Sequence, residues 1–242
     1  MDRTAYLTTL HEESGRFAAA AEAARQRNGW RARVPGCPEW DLADLVWHLG
    51  GVQHFWGWIV RTRATAPAGY PGPTRPDDDA LPAWAAEQSR ALEDALQRAD
   101  PADPVWTWAP RQDVAFVLRR QAQETTVHRV DAEQVLGEVT GIPAAVGLDG
   151  LDEWLELMVP AAFPGGTPAG VAPVVFAATD AGADGTAGRA LFAGSAQAPA
   201  ATLRGPAGDL LLVAWRRLPL DTVAVDGDAE RAGALLATVE LR

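Results

Sequence analysis

The stretch CPEWDLADLVWHLGGVQHFW, residues 37–56, decides the fold of the first half of the chain. Asp41 is a favourable N-cap residue, and Asp44 follows in the first turn, where negative charge stabilises a helix. The apolar residues after this cap recur every three or four positions, at Leu45, Leu49, Val52 and Trp56. This spacing predicts a helix from about Leu42 to Arg61 with one apolar face.

Three more long helices are predicted around this one, at about Thr4–Gln26, Leu81–Ala99 and Gln112–Leu136, each with apolar residues at helical spacing. The segment NGWRARVPGCPEW, residues 28–40, is rich in turn residues and is expected to be a loop. The Pro/Gly-rich connection Ala64–Asp79 is long for a compact bundle, and such loops are often functional. Four helices of this length predict a bundle whose sites are formed by inward side chains on facing helices.

The second half of the chain differs from the first in composition and in its pattern of apolar residues. A further helix is expected at Asp149–Val159, followed by short strands at 174–180, 189–194 and 201–205. Residues 205–218 then predict a helix, 222–228 a strand and turn, and 229–239 a last helix. Helices first and mixed elements later predict an α+β protein of two domains, 1–150 and 151–242.

Composition excludes several classes of protein. The net charge is −11 and the pI about 4.8, whereas a nucleic-acid-binding protein would carry a basic stripe. No apolar run approaches the length of a membrane helix, and the first residues lack a secretory pattern, so a cytoplasmic protein is expected. All 21 basic residues are arginine, which excludes Schiff-base chemistry. The single cysteine, Cys37, cannot form an intrachain disulfide.

Two of the four histidines lie within predicted helices of apolar character, and they suggest a metal site. Glu124 and His128 are four residues apart and project side by side from one helix. If His48 faces them from the second helix, two imidazoles and a carboxylate converge on one point. Such a set suits zinc with an open position, and also iron or nickel. The alternative is a hydrogen-bonded core histidine and a solvated Glu–His pair.

Residues 37–56 resemble the second-helix signature of the DinB-like bundles, and of the mycothiol-dependent maleylpyruvate isomerase family in particular. ETTVHRVDAE, residues 124–133, resembles the fourth-helix motif of that family, and residues 205–230 resemble its sterol-carrier-like C-terminal domain. The resemblance covers nearly the whole chain. It implies a DinB-like four-helix bundle followed by a smaller mixed α/β domain. It also implies a divalent metal, zinc in the first place, held by His48, Glu124 and His128, with mycothiol as the thiol cosubstrate.

Other ionisable residues have weaker assignments. Asp131 follows His128 on nearly the same face and could orient it, or could instead be a surface carboxylate. Cys37 precedes a helix, where a thiol pKa can fall, but no histidine is adjacent in sequence. His54 is expected to point away from the metal, and His11 to face solvent. The resemblance implies a substrate-binding arginine in the C-terminal domain, for which Arg217 is the candidate; the alternative is a solvated helix end.

These observations leave three functions open. The first is a mycothiol-dependent isomerase or S-transferase acting on a small, unsaturated carboxylate electrophile. The second is metal-assisted hydrolysis, which needs a general base, and the motifs offer only Asp131. The third is a non-catalytic module that binds a small ligand, with a structural metal, although structural zinc sites are normally closed by four protein ligands. A small-molecule substrate and a thiol are the expected partners, with no nucleic acid and no membrane; monomer and homodimer remain open.

Overall fold

The computed structural model describes residues 1–166, 171–180, 187–192 and 197–239. The chain divides into two compact units, Met1–Thr140 and Gly141–Arg242. The first unit is helical and the second contains a small sheet, which is the predicted α+β class. The division lies ten residues before the expected boundary at 150, because residue 150 falls inside a helix that packs within the second unit.

Four long helices form the first unit, namely α1 (Arg3–Asn28), α2 (Leu42–Thr62), α3 (Leu81–Arg98) and α4 (Val114–Leu136). Their interior contains an apolar core to which all four helices contribute buried side chains. The predicted helices are therefore confirmed to within a few residues at each end. None of the described helices is both long and apolar enough to cross a membrane.

The segment before α2 differs from the prediction. Residues 28–40 were expected to be a loop, but they contain a short antiparallel hairpin of β1 (Arg33–Val34) and β2 (Cys37–Asp41). The register shifts between Arg33 and Val34, so the pair is irregular and too short for an alternating apolar pattern. The hairpin matters for the site because β2 carries Cys37 and Trp40 into it.

The second unit begins with a helical segment that is longer than predicted. Helix α5 (Ala144–Glu153) continues through a π-helical turn, Trp154–Met158, into α6 (Val159–Ala162). The predicted helix Asp149–Val159 lies inside this segment and misses its beginning after Pro143. Gly147 explains the close packing of the segment, since a Cβ there would come within 2.6 Å of the backbone of Gly208.

A four-stranded sheet follows, with strands β3 (Val174–Ala178), β4 (Ala187–Leu191), β5 (Ala201–Gly205) and β6 (Ala224–Gly227). Their order is β4-β3-β5-β6, with β3 and β5 parallel and the outer pairs antiparallel. Helices α7 (Ala207–Ala214) and α8 (Ala229–Ala237) complete the unit. The predicted strand at 189–194 corresponds to β4, and its residues 193 and 194 lie outside the described residues.

Candidate metal centre and adjoining pocket

Two well-capped helices carry the candidate metal ligands. Helix α2 begins with a capping box in which Asp41 accepts from the Asp44 amide at 2.9 Å and Asp44 accepts from the Asp41 amide at 3.3 Å. Helix α4 begins at Asp113, whose side chain accepts from the Phe116 amide. These caps are encoded locally and fix where each helix begins, while the spacing of the apolar residues determines which face turns inward.

His48 on α2 meets Glu124 and His128 on α4, and we call these three residues the metal triad. The Nε2 atoms of His48 and His128 lie 3.3 and 3.2 Å from the same Glu124 oxygen, Oε1. One ligand atom from each residue lies within 4.8 Å of the others. Zinc bonds of about 2.0–2.1 Å in a tetrahedron place neighbouring ligand atoms roughly 3.3 Å apart. The donor types and two of their separations therefore fit a divalent ion, with a fourth position left to an external ligand.

Neighbouring side chains orient the metal triad. His128 Nδ1 lies 2.8 Å from Oδ2 of Asp131, a fully buried carboxylate. With the proton on Nδ1 donated to Asp131, the Nε2 lone pair is directed to the ion. Arg120 donates to the other oxygen of Glu124, Oε2, at 2.7 Å. Asp131 thus orients His128, which was one of the two predicted possibilities, whereas the contact of Arg120 with Glu124 was not anticipated.

The electrostatics of the metal triad keep its carboxylate ionised. Burial would raise the pKa of Glu124, but the Arg120 charge and hydrogen bonds from His128 and His48 hold it well below its usual value. Burial would lower the pKa of His128, but hydrogen bonds to Asp131 and Glu124 raise it to about 9. Without metal, His128 therefore holds a proton. A divalent ion would compete with that proton for the ligand atoms of the metal triad.

Cys37 is the residue whose position was least predictable from sequence. Its Sγ lies 3.7 Å from Oδ2 of Asp131, the oxygen that also contacts His128. The thiol is separated from His128 by this carboxylate, so Cys37 belongs to the surroundings of the metal triad. Its weak S–H donor supports Asp131 from strand β2. No sequence signal could have shown this contact, because 94 residues separate the two partners.

A pocket of about 660 Å³ adjoins His48 in the first unit. Its lining is largely aromatic and apolar, with Trp40, Trp47, Val52, Phe55, Trp56, Tyr70 and Pro73 among the residues that form it. Trp40 also packs on His48 with ring centroids 4.5 Å apart, so the pocket and the metal triad share a wall. Tyr70 comes from the long Ala64–Asp79 connection, whose length is typical of functional or mobile loops.

The remaining predicted residues lie away from the metal triad. His54 does point elsewhere, and its Nδ1 lies 2.6 Å from the Tyr70 hydroxyl oxygen. His11 is exposed as expected and forms an ion pair with Glu93. Arg217 lies in the second unit just after α7, and its guanidinium donates to the carbonyl of Trp215 at 3.0 Å. Its role in binding substrate stays a prediction.

Comparison with known proteins now connects this geometry to a family. Residues 10–133 match the family described as "Mycothiol maleylpyruvate isomerase N-terminal domain", and residues 145–234 match "MDMPI C-terminal domain". The chain belongs to the mycothiol maleylpyruvate isomerase family. The two domain matches cover both structural units, and the first contains all three residues of the metal triad.

Solved structures agree with this family assignment at the level of fold. A crystal structure of the mycothiol-dependent maleylpyruvate isomerase aligns with a TM-score of 0.67 at 14% identity, over 100% of this chain and 95% of that chain. A histidine-to-alanine variant of that enzyme aligns with a TM-score of 0.66 at 15% identity, over the same shares. No curated protein matches the chain. At such identities the likeness establishes the shared fold, and the reaction is a separate question.

Proposed function

We propose that this protein is a metal-dependent enzyme that uses mycothiol either to isomerise a small unsaturated carboxylate electrophile or, as an S-transferase, to add the mycothiol sulfur to it. The observation that carries the proposal is the convergence of His48 Nε2 and His128 Nε2 on one oxygen of Glu124. A divalent ion held there, zinc in the first place, would favour the thiolate form of a thiol bound beside it. The family membership supports mycothiol as that thiol.

The residues of the chain then have distinct tasks. His48, Glu124 and His128 bind the ion, while Asp131 and Arg120 hold His128 and Glu124 in the orientation that binding requires. Addition of the thiolate to a carbon–carbon double bond leaves negative charge on the adjoining carbonyl group. Arg217 is the proposed partner of a substrate carboxylate and of that charge, because a guanidinium matches a carboxylate with two parallel hydrogen bonds. Rotation and loss of the thiol complete an isomerisation, whereas protonation and release complete a transfer.

The surroundings of His128 favour this chemistry over metal-assisted hydrolysis. Hydrolysis would need a general base beside the ion, and Asp131 was the one candidate in the motifs. Asp131 contacts Nδ1 of His128, on the opposite side of the imidazole ring from Nε2, and also contacts Cys37. Its position therefore supports an orienting task rather than proton abstraction from a bound water.

Calorimetric titration of mycothiol into the zinc-loaded protein tests the proposal. We expect binding that depends on zinc and is lost in His48→Ala, together with most of the bound zinc. His11→Ala is the matched control, because it removes an exposed histidine of α1 that pairs only with Glu93 among the contacts described. Failure of the zinc-loaded protein to bind mycothiol would refute the thiol mechanism. Equal binding by His48→Ala would refute the metal triad as the thiol site.

A further inference from the structure

We infer that the pocket beside His48 binds a flat, uncharged, apolar group of the electrophilic substrate, an inference that rests on the proposed function. The pocket of about 660 Å³ lies within the usual size range for small-molecule sites, roughly 300–1,000 Å³. It is built by α2, by Trp40 of β2 and by the Ala64–Asp79 connection. The family name refers to a small dicarboxylate, and the chemistry of this lining indicates a different kind of substrate.

The aromatic walls are held in place by rings behind them. Trp47 stacks on Trp84 with centroids 4.7 Å apart, and Gly50 allows this, since a Cβ there would come 2.3 Å from the Trp84 ring. On the other side, Phe55 packs edge-to-face against Tyr70 at 4.9 Å. Rings fixed in this way present a preformed apolar surface, so a flat ligand would bind with little ordering of side chains.

Two oxygen-bearing groups of the lining, the Asp44 carboxylate and the Tyr70 hydroxyl, already have partners within the protein. Asp44 accepts from Arg75 at 2.8 Å and from the amide of Asp41. The hydroxyl of Tyr70 is paired with His54 Nδ1 at 2.6 Å. A sugar or a carboxylate in the pocket would have to break these bonds or leave its own polar atoms unsatisfied, which is costly. An apolar group avoids that cost.

The charges around the pocket also favour an uncharged ligand. Asp44 is the charged acidic group of the described lining, and the Arg75 guanidinium beside it holds the pKa of that carboxyl below its usual value. Arg75 is itself shared between Asp44 and Asp78. The faces of aromatic rings are also electronegative. The Asp44 carboxylate and the ring faces of the lining therefore offer a dianion no favourable partner of their own, whereas an uncharged conjugated group meets no repulsion from them.

The position of the pocket places its ligand beside the metal centre, where the proposed reaction takes place. His48 lines the pocket and is also a member of the metal triad, and Trp40 borders both. A group lying on the aromatic wall would hold an attached double bond close to the metal centre, where proximity raises the rate of addition. The pocket thereby selects the electrophile by its flat apolar part.

Gly51 offers a direct test, because it lines the pocket and a Cβ added there meets no atom within 4 Å. Gly51→Leu would fill part of the pocket without disturbing its walls. Gly15→Leu is the matched control: it adds the same side chain to an exposed position of α1, also with no atom within 4 Å. Calorimetry on the zinc-loaded proteins, without any thiol, would compare benzylideneacetone, an uncharged aromatic enone, with maleate, a dianion.

We expect benzylideneacetone to bind the wild type more tightly than maleate does. Its affinity should fall by about tenfold or more in Gly51→Leu and stay unchanged in Gly15→Leu, with circular dichroism confirming that both variants are folded. Unchanged affinity in Gly51→Leu, or tighter binding of maleate, would overturn the inference. If the aromatic probe binds as expected in a protein that does not bind mycothiol, the ligand class of the pocket is supported and only the proposed function is refuted.

Discussion

Helix α4 carries two clusters of charged side chains in its C-terminal half, and the two are completed in different ways. The metal triad contains Glu124 and His128, four residues apart, and the Arg129 network contains Arg129 and Glu133, also four residues apart. In the network, the buried guanidinium of Arg129 is itself the central cation, with Glu13 at 2.7 Å and Glu133 at 2.8 Å. In the metal triad, two imidazole nitrogens and one carboxylate oxygen face one another in an arrangement that could hold a metal ion.

This difference distinguishes a cluster centred on its own arginine from the candidate metal centre. The Arg129 network joins α1 to α4 and also binds Thr140 at the end of the first unit, so Nε and Nη1 of Arg129 are paired with residues of the fold. In the metal triad, Arg120 and Asp131 hold Glu124 and His128 from outside, and the Nε2 atoms of both histidines face Glu124 Oε1. Similar local spacing therefore forms an arginine-centred ion-pair network in one cluster and a candidate metal site in the other.

The largest expected effect is a loss of stability when the Arg129 network is disrupted. Arg129→Met would remove the buried cation between Glu13 and Glu133 and leave them the partly exposed Arg16, so we expect a loss toward the lower end of the roughly 3–5 kcal/mol typical of a broken buried ion pair. Urea unfolding of the zinc-free protein measures this loss. Arg98→Met is the control, because Arg98 forms an exposed pair with Asp94 and should change stability by less than about 1 kcal/mol. Equal effects of the two variants would show that the Arg129 network is not a structural cluster.

A smaller effect is expected at the metal triad, and the quantity that changes there is the affinity for zinc. Asp131→Asn removes the charge that orients His128, and loss of such a partner lowers metal affinity by roughly 10–100-fold. Competition with a chromogenic zinc chelator measures the affinity. Asp94→Asn changes an exposed carboxylate of α3 and should leave zinc binding unchanged. Wild-type zinc affinity in Asp131→Asn would contradict the orienting task given to Asp131.

The smallest effect is a pH dependence within the Arg129 network. Burial would raise the pKa of Glu133, but hydrogen bonds from Thr140 and Arg129 lower it. A carboxyl whose pKa is lower in the folded state stabilises the protein above its unfolded pKa, and this contribution disappears as pH falls through the folded pKa. Glu133→Gln should therefore cost about 1–2 kcal/mol near pH 7 and progressively less below roughly pH 4.

Unfolding curves for Glu133→Gln and the wild type over this pH range would measure that dependence. Glu138→Gln is a suitable control, because it changes an exposed carboxylate near the same end of the first unit. A loss of stability in Glu133→Gln that stays constant down to acidic pH would contradict the charged state assigned to Glu133.

Much of the helical unit was predictable because its signals are local. The capping residues Asp41 and Asp113 and the apolar spacing of α2 and α4 lie within a few residues of the features that they determine. Glu124 and His128 were paired for the same reason, since one turn of helix brings them together. The beginning of α5, just after Pro143, was less predictable. The close approach of Gly147 to Gly208 exists only after α5 has packed against α7.

By itself, the sequence determined the α+β class, the four helices of the first unit, the Glu124–His128 pair and, through resemblance, the assignment of His48 to the same centre. The tertiary structure alone decided that His48 Nε2 reaches Glu124 across 76 residues, that Cys37 supports Asp131, and that Tyr70 closes an aromatic pocket. The physical reason is range. Caps and helical periodicity act over a few residues, whereas these contacts exist only after distant segments have packed against one another.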